Sequence, residues 1–265
     1  MTLARDMIGR LSRELGEVFK VSEVASILNI TSLQASKSLS RWAKQGLIRR
    51  IHHGLYSVIP IEALSTDQPL DNMWVVLPEI FSPGYIGGWS AAEYWDFTEQ
   101  IFRDVCVITE KRLTHKKYEI VGITYILTHR ASYLTFGTEV VWIKNKKAFV
   151  SDPHKTILDM LYTPTLGGGI EHTIDCFKQY IKSSYYDSIQ LVNYAKRMHN
   201  GALFKRLGYL SEKILGEKDK LTTRCLAEIT KGASYIDPSL KKGKYSKRWR
   251  LYVPSHLKIE EFTKW

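Results

Sequence analysis

The order of short segments in the first sixty residues constrains the fold more than any other feature of this sequence. Apolar residues recur at helical spacing from residue 2 to about residue 19, then over residues 21–28 and again over residues 32–44. Residues 29–31 interrupt the pattern between the second and third segments, and Gly46 ends the third. The sequence therefore predicts three helices, of which the last two are joined by a short turn.

A predicted hairpin follows the third helix. Residues 47–58 hold two short β-prone segments that meet at His53 and Gly54, where glycine can adopt the positive φ of a tight turn. Three helices followed by a basic, glycine-tipped hairpin are the arrangement of a winged helix-turn-helix, which binds double-stranded DNA. The alternative is a protein-interaction module whose basic residues form a solvated face.

The third predicted helix carries a polar face that suits the major groove of DNA. Placing Ala35, Leu39 and Trp42 in the core leaves hydrogen-bonding side chains toward solvent. The predicted groove contacts are Ser32, Gln34, Lys37, Ser38, Arg41 and Lys44. The predicted contacts of the hairpin with the DNA backbone are Arg49, Arg50 and His53, with His52 beside them. Lys37 and Arg41 are the strongest candidates in this set.

The distribution of charge favours a polyanionic partner. Of the net charge of +11, residues 1–65 contribute +4 and residues 239–265 contribute +6, so the long middle of the chain is near neutral. Cations that neutralise phosphates release counterions, which supplies affinity independent of DNA sequence. Basic proteins that bind no nucleic acid are nevertheless common, so charge alone does not decide the partner.

The last basic stretch, residues 241–253, alternates cations with aromatic residues and has two interpretations. It either binds nucleic acid through phosphate contacts and stacking, or forms a basic loop that leads into a final strand over residues 249–253. We favour the strand for Trp249 and Tyr252, whose rings are then expected to pack inward. The role of the lysines stays open.

The rest of the chain predicts a second, larger domain. A length of 265 residues exceeds that of a typical single domain, and residues 60–71 resemble a linker because they hold Pro60, Pro69 and several small polar residues. We therefore divide the chain into a winged helix-turn-helix domain at residues 1–62 and a second domain at residues 63–265.

Strands come first in the second domain and helices later. Strands are predicted at residues 73–77, 105–109, 119–127, 140–143 and 147–150, with a helix at residues 90–95 among them. Helices are then predicted at residues 153–162, 169–182, 188–199, 201–215 and 222–229. This segregation favours α+β over alternating βαβ units, so we expect an N-terminal winged helix-turn-helix followed by a larger α+β domain.

Two segments could carry chemistry, and each has a simpler structural interpretation. Asp152, with His154 and Lys155 nearby, could act as a base, but an aspartate before a proline is also the expected cap of a helix. Residues 167–169 are three glycines before a helix that could hold an anion, although they lack the spacing of a phosphate-binding loop. We favour the structural interpretations, and we expect no catalytic residues, no metal site and no cofactor.

Cysteine usage and hydropathy indicate an intracellular protein. Cys106, Cys176 and Cys225 are widely spaced and form no CxxC pair, so we expect buried thiols rather than disulfides or a zinc site. No window holds about 18 uninterrupted apolar residues, and the N-terminal residues mix acids with bases. The protein is therefore expected to be cytoplasmic, with no membrane partner.

Several motifs beyond the first sixty residues resemble the antitoxins of AbiE-type toxin-antitoxin systems, and they occur in the same order. The longer ones are YIGGWSAAEYW at residues 85–95, VSDPHKTILD at residues 150–159 and KRLGYL at residues 205–210. The shorter ones are TEQ at residues 98–100, GGGI at 167–170, YAKR at 194–197, IDP at 236–238 and WRLYV at 249–253. The resemblance therefore covers nearly the whole chain.

The resemblance implies an AbiEi-like antitoxin of a type IV toxin-antitoxin system, a class that includes phage-defence systems. Such a protein represses its own promoter at inverted repeats, as a monomer or a dimer on double-stranded DNA, and opposes a nucleotidyltransferase-like toxin without a required stable complex. Its DNA-binding role carries over to residues 32–44 and to the hairpin around Gly54, whereas its antitoxin role carries over to no single residue. Two rival functions stay open, namely an enzyme that modifies the toxin or a nucleotide, and a ligand-sensing transcription factor.

Overall fold

The computed structural model describes residues 2–59, 70, 72–257 and 259 of the chain. The predicted domain boundary at residue 62 and most of the predicted linker lie outside these residues. The described residues form an α+β protein, in which three N-terminal helices and a small sheet precede a larger region of strands and then helices. The predicted fold class is confirmed.

The N-terminal unit is a winged helix-turn-helix. Its helices are α1 (Thr2–Leu15), α2 (Val21–Leu28) and α3 (Ser32–Lys44), and its strands are β1 (Val18–Lys20), β2 (Ile48–His52) and β3 (Leu55–Val58). The strands form an antiparallel sheet in the order β1-β3-β2. Both helices of the helix-turn-helix and the hairpin that forms the wing lie where the sequence predicts them.

The first helix is shorter than the sequence indicates. We expected it to run to about residue 19, but it ends at Leu15, and Gly16 adopts a φ of +85°. The next residues form β1, in which Val18 and Phe19 are fully buried. The apolar pattern of a three-residue strand cannot be distinguished from that of one more helical turn. Gly16 was therefore the better signal for the end of the helix.

One small core fixes the winged unit. Ala35, Leu39 and Trp42 on α3 are buried together with Leu11 on α1 and Ile48 on β2. Burial of a large apolar side chain contributes about 1.5–3 kcal/mol. This core therefore sets which face of α3 remains exposed and how it lies beside the wing.

A six-stranded mixed sheet forms the middle of the chain. Its strands are β4 (Gly84–Ile86), β5 (Val105–Thr109), β6 (Lys117–Ile120), β7 (Ile123–His129), β8 (Thr138–Ile143) and β9 (Lys146–Ser151). They lie in the order β6-β7-β5-β4-β9-β8, with β4–β9 and β5–β7 parallel and the other pairs antiparallel. Helix α4 (Gly88–Tyr94) follows β4 in the chain and precedes β5.

The strand predicted at residues 73–77 is wrong. Met73–Val76 forms a 3-10 turn and Leu77–Phe81 continues it as a π-helical turn. Asn72 starts this segment, because its side-chain oxygen accepts a hydrogen bond of 2.8 Å from the backbone N–H of Trp74. A short apolar run predicts burial but does not distinguish a buried strand from a buried turn.

The strand predicted at residues 119–127 is also wrong, because it is two strands. Val121 and Gly122 adopt φ values of 52° and 71°, which turns the chain between β6 and β7. Glycine inside a strand-like run was the available signal for this turn. The short strand β4 was not predicted, since Gly84 within it and Gly87 and Gly88 directly after it weaken the strand pattern.

The C-terminal region is mostly helical. Its helices are α5 (Pro153–Tyr162), α6 (Ile170–Lys182), α7 (Ser188–Arg197), α8 (Gly201–Leu215) and α9 (Lys220–Ala227), all near their predicted positions. A small sheet of β10 (Ser234–Tyr235), β11 (Lys244–Ser246) and β12 (Leu251–Val253) closes the chain in the order β10-β12-β11. None of the helices among the described residues combines the length and the hydropathy needed to span a membrane.

The two candidate catalytic segments have structural roles. Asp152 caps α5, because its carboxylate accepts a hydrogen bond of 2.8 Å from the backbone N–H of Lys155. Gly168 and Gly169 adopt φ values of +75° and +102° where the chain turns into α6. Side chains other than glycine rarely adopt such angles, so the turn itself requires these glycines.

Other expectations can be compared directly with the structure. The three cysteines are free and buried, and burial raises the pKa of the Cys176 thiol to about 12. The Trp249 ring is fully buried, as predicted, but the strand predicted at residues 249–253 begins only at Leu251. Trp249 lies in the turn before it, where Arg250 adopts a φ of +49°. Among the described residues, no three histidine, cysteine or carboxylate side chains gather as a metal site.

The winged unit shares an apolar core with the larger region that follows it, for which we keep the name second domain from the sequence prediction. Val18 and Leu55, from the small N-terminal sheet, pack in one cluster with Val75, Leu77 and Ile86 of the second domain. The backbone of α1 is held as well, because Asn145 Nδ2 donates a hydrogen bond of 2.7 Å to the carbonyl oxygen of Glu14. The second domain therefore fixes the orientation of the winged unit.

An ion-pair cluster joins the two domains beside this core. Lys146 Nζ lies 2.6 Å from Glu23 Oε1 and 2.8 Å from Glu79 Oε1, and Lys20 Nζ lies 2.5 Å from Glu79 Oε2. Burial alone would raise the pKa of Glu79, but the hydrogen bonds and charges of the two lysines bring that pKa below its ordinary value. Glu79 is thus held as a carboxylate between two cations.

We expect Lys146→Met to destabilise the protein by about 1–3 kcal/mol, because the nearly buried carboxylate of Glu79 then keeps only Lys20 as a cationic partner. Urea unfolding at neutral pH measures the change. The matched control is Lys147→Met, the exposed neighbour on the same strand, which should change the free energy of unfolding by no more than about 1 kcal/mol. Equal midpoints for the two variants would contradict a structural role for the cluster.

Candidate nucleic-acid interface

The turn between α2 and α3 is fixed by backbone and cap. Asn29 ends α2 in the left-handed region with a φ of 52°, and Thr31 then begins α3. Thr31 Oγ1 accepts a hydrogen bond of 3.3 Å from the backbone N–H of Gln34, and Gln34 Oε1 accepts one of 2.9 Å from the N–H of Thr31. This reciprocal cap fixes the angle at which α3 leaves the turn.

Most of the predicted groove contacts lie on an exposed face of α3. Ser32, Gln34, Lys37, Arg41 and Lys44 are exposed, and Ser38 is half-buried. Across the described part of the chain, neither Lys37 nor Arg41 forms an ion pair with a carboxylate. Gln34 differs from the others, since its side-chain oxygen is used by the cap and only its amide N–H groups remain to donate.

Two further residues share this face and were not predicted. Leu33 is 65% exposed, which is unusual for a leucine, and Ser40 is exposed as well. Both are separated from Lys37 by three or four positions, the spacing that places side chains on one side of a helix. Counting helical positions outward from Lys37, rather than selecting polar residue types, would have found them.

The wing presents basic side chains around a tight turn. Gly54 adopts a φ of +72° at the tip, where His52 and His53 are exposed. Arg50 is also exposed, and its Nε donates a hydrogen bond of 3.3 Å to the carbonyl oxygen of His52. Arg49 is half-buried and faces Ser57 on the neighbouring strand, so it is less accessible than Arg50.

A groove of about 340 Å³ lies between the start of α3 and the tip of the wing. Ser32, His52 and His53 line it from the winged unit, and Glu79 and Ile80 line it from the second domain. The structure therefore brings together Ser32 and His53, which were predicted from separate segments. Because Lys20 and Lys146 hold Glu79, the carboxylate in this groove is already balanced by cations.

Residues 7–59 match a family described as a transcriptional regulator, AbiEi antitoxin. The match covers most of α1, the helix-turn-helix and the wing, which is about a fifth of the chain. No curated protein matches this sequence.

One solved structure is similar over nearly the whole chain. The RV2827C protein from Mycobacterium tuberculosis superposes with a TM-score of 0.65 at 10% sequence identity, over 94% of this chain and 90% of that one. At this identity the likeness shows that the fold is shared and nothing further.

The family match falls on the segment that holds every predicted DNA contact. The resemblance to AbiE-type antitoxins is thus confirmed by a match over residues 7–59, a segment that holds none of the motifs at residues 85–253 from which the resemblance was inferred. Residues 7–59 are therefore similar to the AbiEi antitoxin family of transcriptional regulators.

Proposed function

We propose that this protein is a cytoplasmic, DNA-binding antitoxin that represses the promoter of its own type IV toxin-antitoxin operon. The observation that carries the proposal is the exposed cationic face of α3, where Lys37 and Arg41 face solvent without a carboxylate partner among the described residues. Exposed cations that form no ion pair within the described residues are available to contact phosphates or base edges. The family match to regulators over the same residues supports this interpretation.

In the proposed complex, α3 lies in the major groove and the wing lies along the backbone. Lys37 and Arg41 donate to base edges or adjacent phosphates, with Ser32, Gln34, Ser38 and Lys44 around them. Leu33 meets an apolar edge such as a thymine methyl group. Arg50 and His53 contact phosphates from the wing, and Arg49 contributes from its less accessible position.

The antitoxin activity is proposed for the second domain, and the protein acts without catalysis. Its partner is a nucleotidyltransferase-like toxin, which it opposes without a required stable complex. Repression at inverted repeats is satisfied by two monomers side by side or by a dimer. These parts of the proposal rest on the family match and on the motifs of the second domain.

The experiment that tests DNA binding uses the full-length protein and the DNA upstream of its own gene. We expect Lys37→Ala with Arg41→Ala to weaken binding by at least about 30-fold at fixed salt, since each of the two lost base contacts costs about 1–3 kcal/mol. A gel-shift titration measures the affinity. Far-ultraviolet circular dichroism checks that the exposed substitutions leave the fold intact.

The matched control removes two exposed cations from the helical region, Lys218→Ala with Lys231→Ala, and so lowers the net charge by the same amount. This control should change the affinity by less than threefold. If both double variants bind the DNA as tightly as the unchanged protein, α3 is not the DNA-binding element and the proposal is wrong.

A further inference from the structure

A strongly basic loop of the second domain has no role in the interface described so far. Residues 111–117, which follow β5 and end at the first residue of β6, hold four lysine or arginine residues and one histidine. All five side chains are exposed, namely Lys111, Arg112, His115, Lys116 and Lys117. We call this segment the cationic loop.

The cationic loop begins next to the groove beside the wing. Lys111 Nζ donates a hydrogen bond of 2.8 Å to the carbonyl oxygen of Ile80. Ile80 in turn lines the groove beside the wing, together with His52 and His53. Ile80 therefore contacts both the cationic loop, through Lys111, and the groove at the wing tip.

No described carboxylate neutralises the cationic loop through an ion pair. Of the acids that flank it in sequence, Glu110 accepts a hydrogen bond of 2.5 Å from Thr135 Oγ1, and Glu119 lies opposite Thr124 in the β6–β7 pair. The carboxylate of Glu79, between the loop and the wing, is held by Lys20 and Lys146. An anionic ligand that contacts both the wing and the cationic loop would therefore meet little repulsion from these carboxylates.

We propose that the cationic loop binds the phosphate backbone of duplex DNA that flanks the site contacted by α3. The inference rests on the proposed function and extends it, because the second domain becomes part of the DNA-binding surface. A duplex carries about one negative charge per 1.7 Å of its axis, so DNA that continues past the wing presents phosphates to the neighbouring cations. The shared core holds the two domains in one orientation and so fixes the loop relative to the wing.

The first test is the salt dependence of binding by the variant Arg112→Ala, Lys116→Ala, Lys117→Ala, which leaves the bonded Lys111 in place. Each lost phosphate contact reduces the slope of log affinity against log salt by about 0.9, so we expect the slope to be shallower by about 2–3. The control Lys213→Ala, Lys218→Ala, Lys231→Ala removes the same charge from exposed positions elsewhere and should keep the slope of the unchanged protein.

The second test varies the length of the DNA. The unchanged protein should bind a duplex extended by about 10 base pairs on each side of the minimal site more tightly than the minimal duplex, since one helical turn reaches the flanking phosphates. The triple cationic-loop variant should bind both duplexes equally. Equal binding of both duplexes by the unchanged protein, or equal slopes for the cationic-loop variant and its control, would overturn the inference.

The outcomes distinguish this inference from the proposed function. If Lys37→Ala with Arg41→Ala weakens binding but the cationic-loop variant behaves like its control, only the role of the loop is wrong. If the unchanged protein does not bind the upstream DNA, both the proposed function and the inference are wrong.

Discussion

Asp159→Ala is expected to destabilise the second domain by about 3–5 kcal/mol, because it leaves a buried ammonium group without its counterion. Lys155 has a fully buried side chain, and its Nζ forms an ion pair with Asp159 Oδ1 one helical turn away. Tyr85 OH donates a hydrogen bond of 2.8 Å to Asp159 Oδ2 and accepts one of 3.0 Å from Lys155 Nζ. Burial lowers the pKa of Lys155, whereas the charge of Asp159 opposes that shift.

Two controls separate the charge from the packing in this buried network. Asp159→Asn keeps an oxygen acceptor of similar size and should destabilise less than alanine does. The double change Lys155→Met with Asp159→Leu removes both charges and should recover most of the loss, since apolar pairs often replace buried ion pairs at little cost. Urea unfolding measures all three variants, and a loss below about 1 kcal/mol for Asp159→Ala would show that the network does not stabilise the domain.

The sequence predicts helices better than short strands in this protein. Helices α3, α5 and α8 lie at their predicted bounds, because each has several turns of apolar periodicity and a clear cap or glycine at its end. The strands β1 and β4 have three residues each and were not predicted. Strands this short are selected by their partners in the sheet, which a local pattern does not contain.

The exposed face of α3 could also be predicted from local sequence alone. Helical spacing around the buried Ala35 and Leu39 determines which side chains point outward, whatever the rest of the chain does. Gln34 lies on this exposed face as predicted, and the structure adds that its side-chain oxygen is used by the cap. The motif in which a threonine precedes a glutamine by three positions was present in the sequence and predicts that cap.

The relation between the two domains could not be predicted from the sequence. The contacts of Lys146 with Glu23 and Glu79 join residues that are 123 and 67 positions apart. Such contacts depend on how complete elements pack, and no spacing along the chain encodes them. The position of the cationic loop beside the wing is of the same kind, since it follows from the contact of Lys111 with Ile80.

Trp249→Ala is expected to destabilise the C-terminal region by about 3–5 kcal/mol, the usual cost of removing a large buried ring and leaving a cavity. Trp249 is fully buried, and its Nε1 donates a hydrogen bond of 2.9 Å to Glu212 Oε2. Its ring packs on the backbone of α8 at Gly208, where the absence of a side chain makes room for it. Trp249→Phe keeps part of the ring and should destabilise less.

A double-mutant cycle with Gly208→Ala tests that contact directly. Alanine is better than glycine in a helix by about 1 kcal/mol, but a Cβ at position 208 would overlap the Trp249 ring. Overlap in a packed core costs about 1–3 kcal/mol, so we expect Gly208→Ala to destabilise the unchanged protein. In the Trp249→Ala background the cost should fall by at least about 1 kcal/mol, because the ring is gone and Cys225, the other close neighbour, can shift into the space. The same effect of Gly208→Ala in both backgrounds would mean that Trp249 does not determine the glycine at this position.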